Sequence, residues 1–135
     1  MSLVQVNPQF LDVVWPHVVG FLEACIATSD DPECDLGQVK LRVRQGTAVL
    51  LIWEEAQGVS WALVVSFLDY PNYRVANLDL LGGKDAVNKT CMAALQEWCL
   101  AQGAAQIQAF CNESRSRLYR RVGFHEVSRL VRIKL

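Results

Sequence analysis

Several side chains of this sequence could do chemistry, and they fall in three places. The stretch 112–124, NESRSRLYRRVGF, sets Asn112 ahead of a short run containing Leu118 and Tyr119, with Gly123 and Phe124 behind it. A phenol such as Tyr119 can serve as a general acid; it can equally pack its ring at a sheet edge and bond its hydroxyl to backbone. Upstream, Asn77 and Asp79 sit two apart in an extended run, so both project from one face, with Ala76, Leu78 and Leu80 on the other. A carboxylate there could accept a proton, and a polar pair on a strand also reads as a solvated face. Between the two lies Gly82-Gly83-Lys84. Ahead of a helix, such a turn can gather backbone N–H groups into an anion nest, with Lys84 adding charge and Lys89 a turn or so further on. The same glycines can simply end a strand, and Asp85 opposes a polyanion.

These residues need elements to hold them. Apolar residues at Leu11, Val14, Trp15, Val18, Val19, Leu22 and Ile26 recur at a helical period over 10–27, and Pro16 predicts a kink or two helical pieces. Residues 28–35, TSDDPECD, form an acidic loop rich in turn formers. Asp35 can cap a second helix running through Val43 and ended by Gly46. The apolar runs 48–53 and 60–68 flank a turn at 54–58 and make a hairpin. A turn at Tyr70-Pro71-Asn72-Tyr73 leads into a third strand, 74–81. A long helix follows from Asp85 or Asn88 to Gln102, then a strand at 106–111. A helix from Glu113 to Arg121 or Val122 comes next, capped by Asn112 and suited at its first turn by Glu113. Gly123 stops that helix in the left-handed conformation, and Phe124 restarts the chain as a buried strand residue. The final strand, 127–135, alternates Val127, Leu130 or Val131, Ile133 and Leu135 with Arg129, Arg132 and Lys134. The order predicts an α+β domain with a mixed central sheet flanked by helices.

The pattern N-x-x-x-x-x-L-Y-x-x-x-G-F followed by a strand resembles the closing motif of the GCN5-related N-acetyltransferase (GNAT) superfamily. An antiparallel meander followed by a β-α-β crossover is similar to its fold, the first strand of which would fall at Leu3 to Val6. The resemblance spans most of the chain as architecture and its last third as motif. It implies a GNAT-like acyl-CoA N-acyltransferase fold and transfer of an acetyl group from acetyl-CoA, as co-substrate, to a small-molecule or peptide amine. By the same resemblance, Tyr119 is the acid that protonates the leaving thiolate and Asp79, directly or through water, is the base. Leu81, Gly82, Gly83, Lys84, Asn88, Asn112 and Arg115 hold the coenzyme, with Asn112 on the pantetheine amides. As a plain helix cap Asn112 needs no ligand.

The sequence also departs from the family. The phosphate loop R/Q-x-x-G-x-G/A is replaced by Gly83-Lys84-Asp85-Ala86-Val87-Asn88, with Ala86 and Asn88 at the two small-residue positions. Arg115 stands where Ala is usual, and either reaches a phosphate or crowds the pantetheine path. A cradle crowded by Ala86 and Asn88 predicts weak binding of acetyl-CoA. The departed loop leaves open a second class, a GNAT-fold structural or interaction protein that has lost its cofactor. The L-L-G-G turn of residues 80–83 is similar to that of GNAT-like proteins encoded by tailed phages.

Composition narrows the rest. At 135 residues, 52% hydrophobic and 20% charged, the sequence is that of one globular domain spanning 1–135. A formal net charge of −1 does not suit a protein that coats nucleic acid or an anionic membrane. The arginines of 115–132 are balanced by the acids of 30–35. The N-terminus lacks the pattern of a signal peptide, and no continuous apolar run has the length of a membrane span. The five cysteines, with no CxxC and no nearby histidine, predict reduced thiols, no metal site and a cytoplasmic protein. His17 and His125 lack a partner pattern, and Asp69, Tyr70 and Tyr73 either line an acceptor site or serve only as turn residues. A homodimer is compatible with all of this.

Overall fold

A computed structural model describes residues 1–29 and 32–135; Asp30 and Asp31 of the acidic loop lie outside the described residues. The elements are β1 (Ser2–Gln5), a 3-10 turn (Pro8–Phe10), α1 (Leu11–Ala27), α2 (Leu36–Gln45), β2 (Val49–Glu55), β3 (Gly58–Asp69), β4 (Arg74–Gly83), α3 (Lys89–Ala101), β5 (Gln106–Gln108) and α4 (Glu113–Arg120). The sheet order is β1-β2-β3-β4-β5, antiparallel through β4, with β5 parallel to β4. The mixed α+β architecture expected from the sequence is therefore present.

The runs VLLIW and WALVV are apolar at every position because both faces of the sheet are covered. Leu51, Trp53, Trp61, Leu63 and Val65 join Ala76, Leu78, Met92 and Leu95 in one cluster, on the α3 face. Leu50, Ile52, Ala62 and Val64 join Leu11, Val18, Leu22, Val39 and Val43 in the other, under α1 and α2. Trp53 and Trp61 stack at 5.7 Å.

Local chemistry sets most of the helix ends. Asp35 and Gln38 form a reciprocal capping box on α2, and Gly46 closes it with φ +81°. Pro16 does not divide α1. It falls early in the helix, where it removes one backbone donor, and Leu11, Val18 and Leu22 are buried on either side of it. The 20-residue span Pro8–Ala27 has the length and mean hydropathy of a membrane helix, 1.5. Its buried residues here face the sheet.

Two expectations fail at the end of the chain. β5 stops at Gln108 and does not reach Cys111, and residues 127–135 form no strand. The alternation of that segment is real, but the described chain lays no neighbouring strand against it, and a strand without a ladder is not stable. Phe124 is accordingly half-buried just after the turn that ends α4, packed on Tyr119 at 4.9 Å, and does not start a strand.

Candidate active site in the β4–β5 wedge

β4 and β5 pair only at Val75–Gln106, Ala76–Ile107 and Asn77–Gln108. Beyond that point β5 ends while β4 runs on to Gly83, so the sheet opens into a wedge. Gln108 Nε2 donates to Asn77 Oδ1 at 3.1 Å and marks its apex.

Within β4 the register with β3 shifts, with Val65 opposite Leu78 and Val64 opposite Leu80, which leaves Asp79 as the extra residue of a β-bulge. The bulge corrects the simple alternation read from sequence. Ala76 and Leu78 face the α3 cluster, but Leu80 packs with the α1–α2 cluster and Leu81 returns to the first. Asp79 is held by Ser66 Oγ at 2.7 Å and Asn77 Nδ2 at 2.6 Å, both donating to Oδ1. Its Oδ2 is buried without a hydrogen bond and lies 3.7 Å from the Arg42 guanidinium of α2.

On the other side of the wedge, Tyr119 is 4% exposed and belongs to the α3-face cluster. Burial pushes its hydroxyl up to about 12, against the pull of the neighbouring Arg115 cation, with Cys111 and Cys25 nearby. A phenol at that value is further from an ordinary thiol than an unperturbed one, but it is fully protonated at neutral pH and so available as a donor. The groups around Tyr119 and those around Asp79 are different residues, so the two candidates stand in separate environments.

The open end of the wedge is a cleft of ≈ 200 Å³ lined by Leu81, Gly83, Asp85, Ala86, Val87, Arg115 and Leu118. That is below the roughly 300–1,000 Å³ of most small-molecule sites. Three of the expected coenzyme contacts, Leu81, Gly83 and Arg115, are brought together here. Gly82 is not: it lies against α1, where an added Cβ would stand 2.2 Å from the Phe21 carbonyl oxygen. Gly83, at φ +124°, would drive a Cβ to 2.4 Å from that of Trp61, so it turns the strand as well as lining the cleft. Lys84 is exposed and does not line the cleft. Asn88 caps α3, accepting from Cys91 N–H at 2.9 Å and donating to the Asp85 carbonyl. Asn112 caps α4 in the same way, accepting from Arg115 N–H at 2.9 Å.

Of the two residues expected to crowd the phosphate loop, Ala86 does line the cleft, whereas Asn88 does not. Ala86 is at once a member of the α3-face core and part of the cleft wall, while the Asn88 side chain is folded back on its own helix. Among the described residues, the backbone N–H groups of Asp85, Ala86 and Val87 donate to nothing. Asp85 takes a left-handed φ of +54° in turning the loop. Open donors in a turn that leads into a 13-residue helix are the chemistry that attracts a phosphate. What closes the cleft is Arg115, whose Nη1 donates to the Leu81 carbonyl at 2.9 Å and so takes an acceptor on the free edge of β4.

Other sequence candidates lie elsewhere. Tyr70 and Tyr73 face each other at 5.8 Å in the β3–β4 turn, at the opposite end of β4 from the cleft. His17 and His125 are exposed. Among the described residues no group of three His, Cys, Asp or Glu could hold a metal ion. Sequence reading missed Ser66, Gln108 and Arg42. A lone Ser inside the apolar run of β3 was a usable signal for the first; the α2–β4 contact that brings Arg42 to Asp79 left no local trace.

No protein-family model matches the sequence, and no curated protein matches it. Solved structures do. A probable acetyltransferase superposes with a TM-score of 0.71 at 16% identity, over 100% of this chain and 97% of that one. An aminoglycoside acetyltransferase from an uncultured soil metagenomic sample, in complex with sisomicin, gives 0.72 at 10% identity over 99% and 94%. A predicted acetyltransferase from Clostridium acetobutylicum, with acetyl-CoA, gives 0.68 at 11% identity over 98% and 95%. At such identities the likeness is one of fold, and the chain has the fold of the GNAT acetyltransferases.

Proposed function

We propose that this protein is an N-acetyltransferase that takes acetyl-CoA in the β4–β5 wedge and passes the acetyl group to a small-molecule or peptide amine. The observation that carries this is the coincidence of the wedge with the three open N–H groups of Asp85, Ala86 and Val87 in the turn that leads into α3. Those donors would hold a pyrophosphate, and the free edge of β4 at Leu81 would hold amide groups once Arg115 withdraws. In the reaction the amine nitrogen bonds to the acyl carbon as the carbon–sulfur bond breaks. Tyr119, protonated throughout the physiological range, would give its proton to the departing sulfur. Asp79 would take the proton lost by the amine, through a water reaching Oδ2 past Arg42.

Calorimetry with acetyl-CoA tests the site directly. The expected affinity is weaker than micromolar, because part of the binding energy goes into displacing Arg115 from Leu81. Submicromolar binding would contradict a wedge closed by Arg115. Complete absence of binding, even in a variant lacking that guanidinium, would favour the second reading. In that reading the chain is a GNAT-fold interaction or structural module without cofactor. It is supported by the small cleft and by the same Arg115 contact.

A further inference from the structure

The three cations of α2 are not used alike. Lys40 and Arg44 both close on Asp12 of α1, at 2.9 and 2.8 Å. Arg42 reaches instead to β4, where its Nη1 stands 3.7 Å from Asp79 Oδ2. A guanidinium and a carboxylate with no other partner commonly settle into paired hydrogen bonds of about 2.8 Å. This pair does not. Oδ2 is buried and accepts no hydrogen bond, although Oδ1 beside it accepts two. Among the described residues Arg42 pairs with no other carboxylate, and 38% of its side chain is in water. Each charge therefore keeps capacity for a further partner.

The groups around the pair are neutral. Ser66 of β3 and Asn77 of β4 hold Asp79, and Gln108 of β5 holds Asn77. These five side chains carry one charge of each sign between them. Asp79 lies between Asn77, at the wedge apex, and Leu81, in the cleft wall. An amine that meets acetyl-CoA in the wedge arrives beside this pair. An amine alone would set a second cation against Arg42 with no anion to offset it. An amine with a carboxylate on the same carbon brings both signs about 3 Å apart, close to the 3.7 Å of the pair that meets it. The planar carboxylate also suits the fork of a guanidinium.

We propose that the acceptor is a free α-amino acid, its carboxylate taken by Arg42 and its amine set beside Asp79 Oδ2. The proposal deepens the acetyltransferase reading and rests on it. Drawn outward by the carboxylate, Arg42 leaves Oδ2 to the ammonium, or to the water that carries its proton. The ammonium gives one proton to Asp79, and the freed nitrogen bonds to the acyl carbon as the carbon–sulfur bond breaks. Tyr119 protonates the sulfur, and the second proton lost from nitrogen returns to Tyr119 through solvent. The amino terminus of a peptide, which lacks that carboxylate, would leave Arg42 unmatched.

Acetyl transfer by the full chain, followed as thiol release from acetyl-CoA, tests this with each common L-amino acid and its carboxamide. The best acid should exceed its own amide roughly tenfold or more in kcat/KM, the worth of one charge-assisted contact. γ-Aminobutyrate, whose charges stand further apart, should fare no better than an amide. Arg42→Gln should erase the preference for acids and Arg42→Lys should restore part of it, a rescue that a merely structural role would not give. Native protein that takes amides or simple amines as well as acids overturns the proposal while the acetyltransferase reading stands, even where both variants unfold. If no amine is acetylated, that reading fails in its chemistry and nuclear magnetic resonance decides the site. The same amino acids at millimolar levels should then shift the Arg42 Nε–H signal, and their amides should not. Acids and amides without difference there overturn the proposal equally.

Discussion

The centre of the sheet and its C-terminal third are built from similar residues and end in opposite states. β2, β3 and the first half of β4 bury nearly every side chain on both faces, with Trp61, Leu63 and Val65 no more than 1% exposed. From β5 onward, Phe110, Leu118 and every large apolar residue after Val127 are exposed. The difference is one of neighbours. A central strand meets a ladder on each edge and a helix on each face, whereas β5 has a single edge partner for three residues. Because the sheet comes apart there, the molecule gains a cleft, a buried phenol and open backbone donors in the region where its own packing is least complete.

Removing a side chain from each region is the strongest way to break this comparison. Leu63→Ala should cost about 4 kcal/mol, since the residue is fully buried in a two-faced core. Phe124→Ala, although a larger truncation, should cost only about 1–2 kcal/mol because its ring is half in solvent already. Urea unfolding measures both. Equal losses would mean that the C-terminal third is packed as tightly as the centre.

The same contrast governs what could be read from sequence. The helices α2 and α3, the β2–β3 hairpin and the caps at Asp35, Gly46, Asn88 and Asn112 follow from local rules, because each is decided within a few residues. The bulge at Asp79 was not legible: an extra residue leaves strand composition unchanged and reveals itself only in the register with β3. The strand at 127–135 was misplaced for the converse reason, since alternation specifies a strand but not its neighbour. At the site, Tyr119 and Arg115 could be singled out from the motif. That Arg115 turns inward to Leu81 depends on a contact across 34 positions of sequence.

Alkaline titration should separate the regions next. Burial holds Tyr119 at about 12, above its ordinary value of 10. Between those two values the unfolded chain releases the phenolic proton and the folded chain keeps it. Stability is therefore fully present below pH 10 and falls as pH rises towards 12, by about 3 kcal/mol in all. Tyr119→Phe should remove that part of the slope while leaving the comparable loss from Cys99, whose thiol burial pushes up from 9 to about 11 and whose contribution therefore fades over a lower pH range. A slope unchanged by the substitution would show that the phenol is more open to water than the packing around it indicates. In the same variant acetyl transfer should slow; unchanged turnover would remove Tyr119 from the chemistry.

Arg115→Ala sharpens the comparison at the cleft itself. Freeing the Leu81 carbonyl opens the edge of β4 but removes a cation, and the first effect should prevail because the N–H groups of the loop remain to hold phosphate. The expected gain in acetyl-CoA affinity is roughly tenfold, about 1.4 kcal/mol. A loss of affinity would mean that the guanidinium holds the phosphates and that its contact with Leu81 is broken on binding at little cost.

Arg117 lies two positions along the same short helix and should behave quite differently. Its guanidinium is 3.5 Å from Glu113, four residues back, but both side chains are mostly in water, at 65% and 78% exposure. Water screens that attraction, and two flexible side chains lose entropy in holding it, so Arg117→Ala should change stability by only about 0.3 kcal/mol. It should leave acetyl-CoA affinity unchanged, because the residue does not line the cleft. If removing Arg117 weakened binding by about tenfold, long-range attraction by the basic α4 surface would outweigh the geometry of the wedge. Repeating the titration in high salt would then abolish the effect, since only solvent-exposed charge is screened in that way.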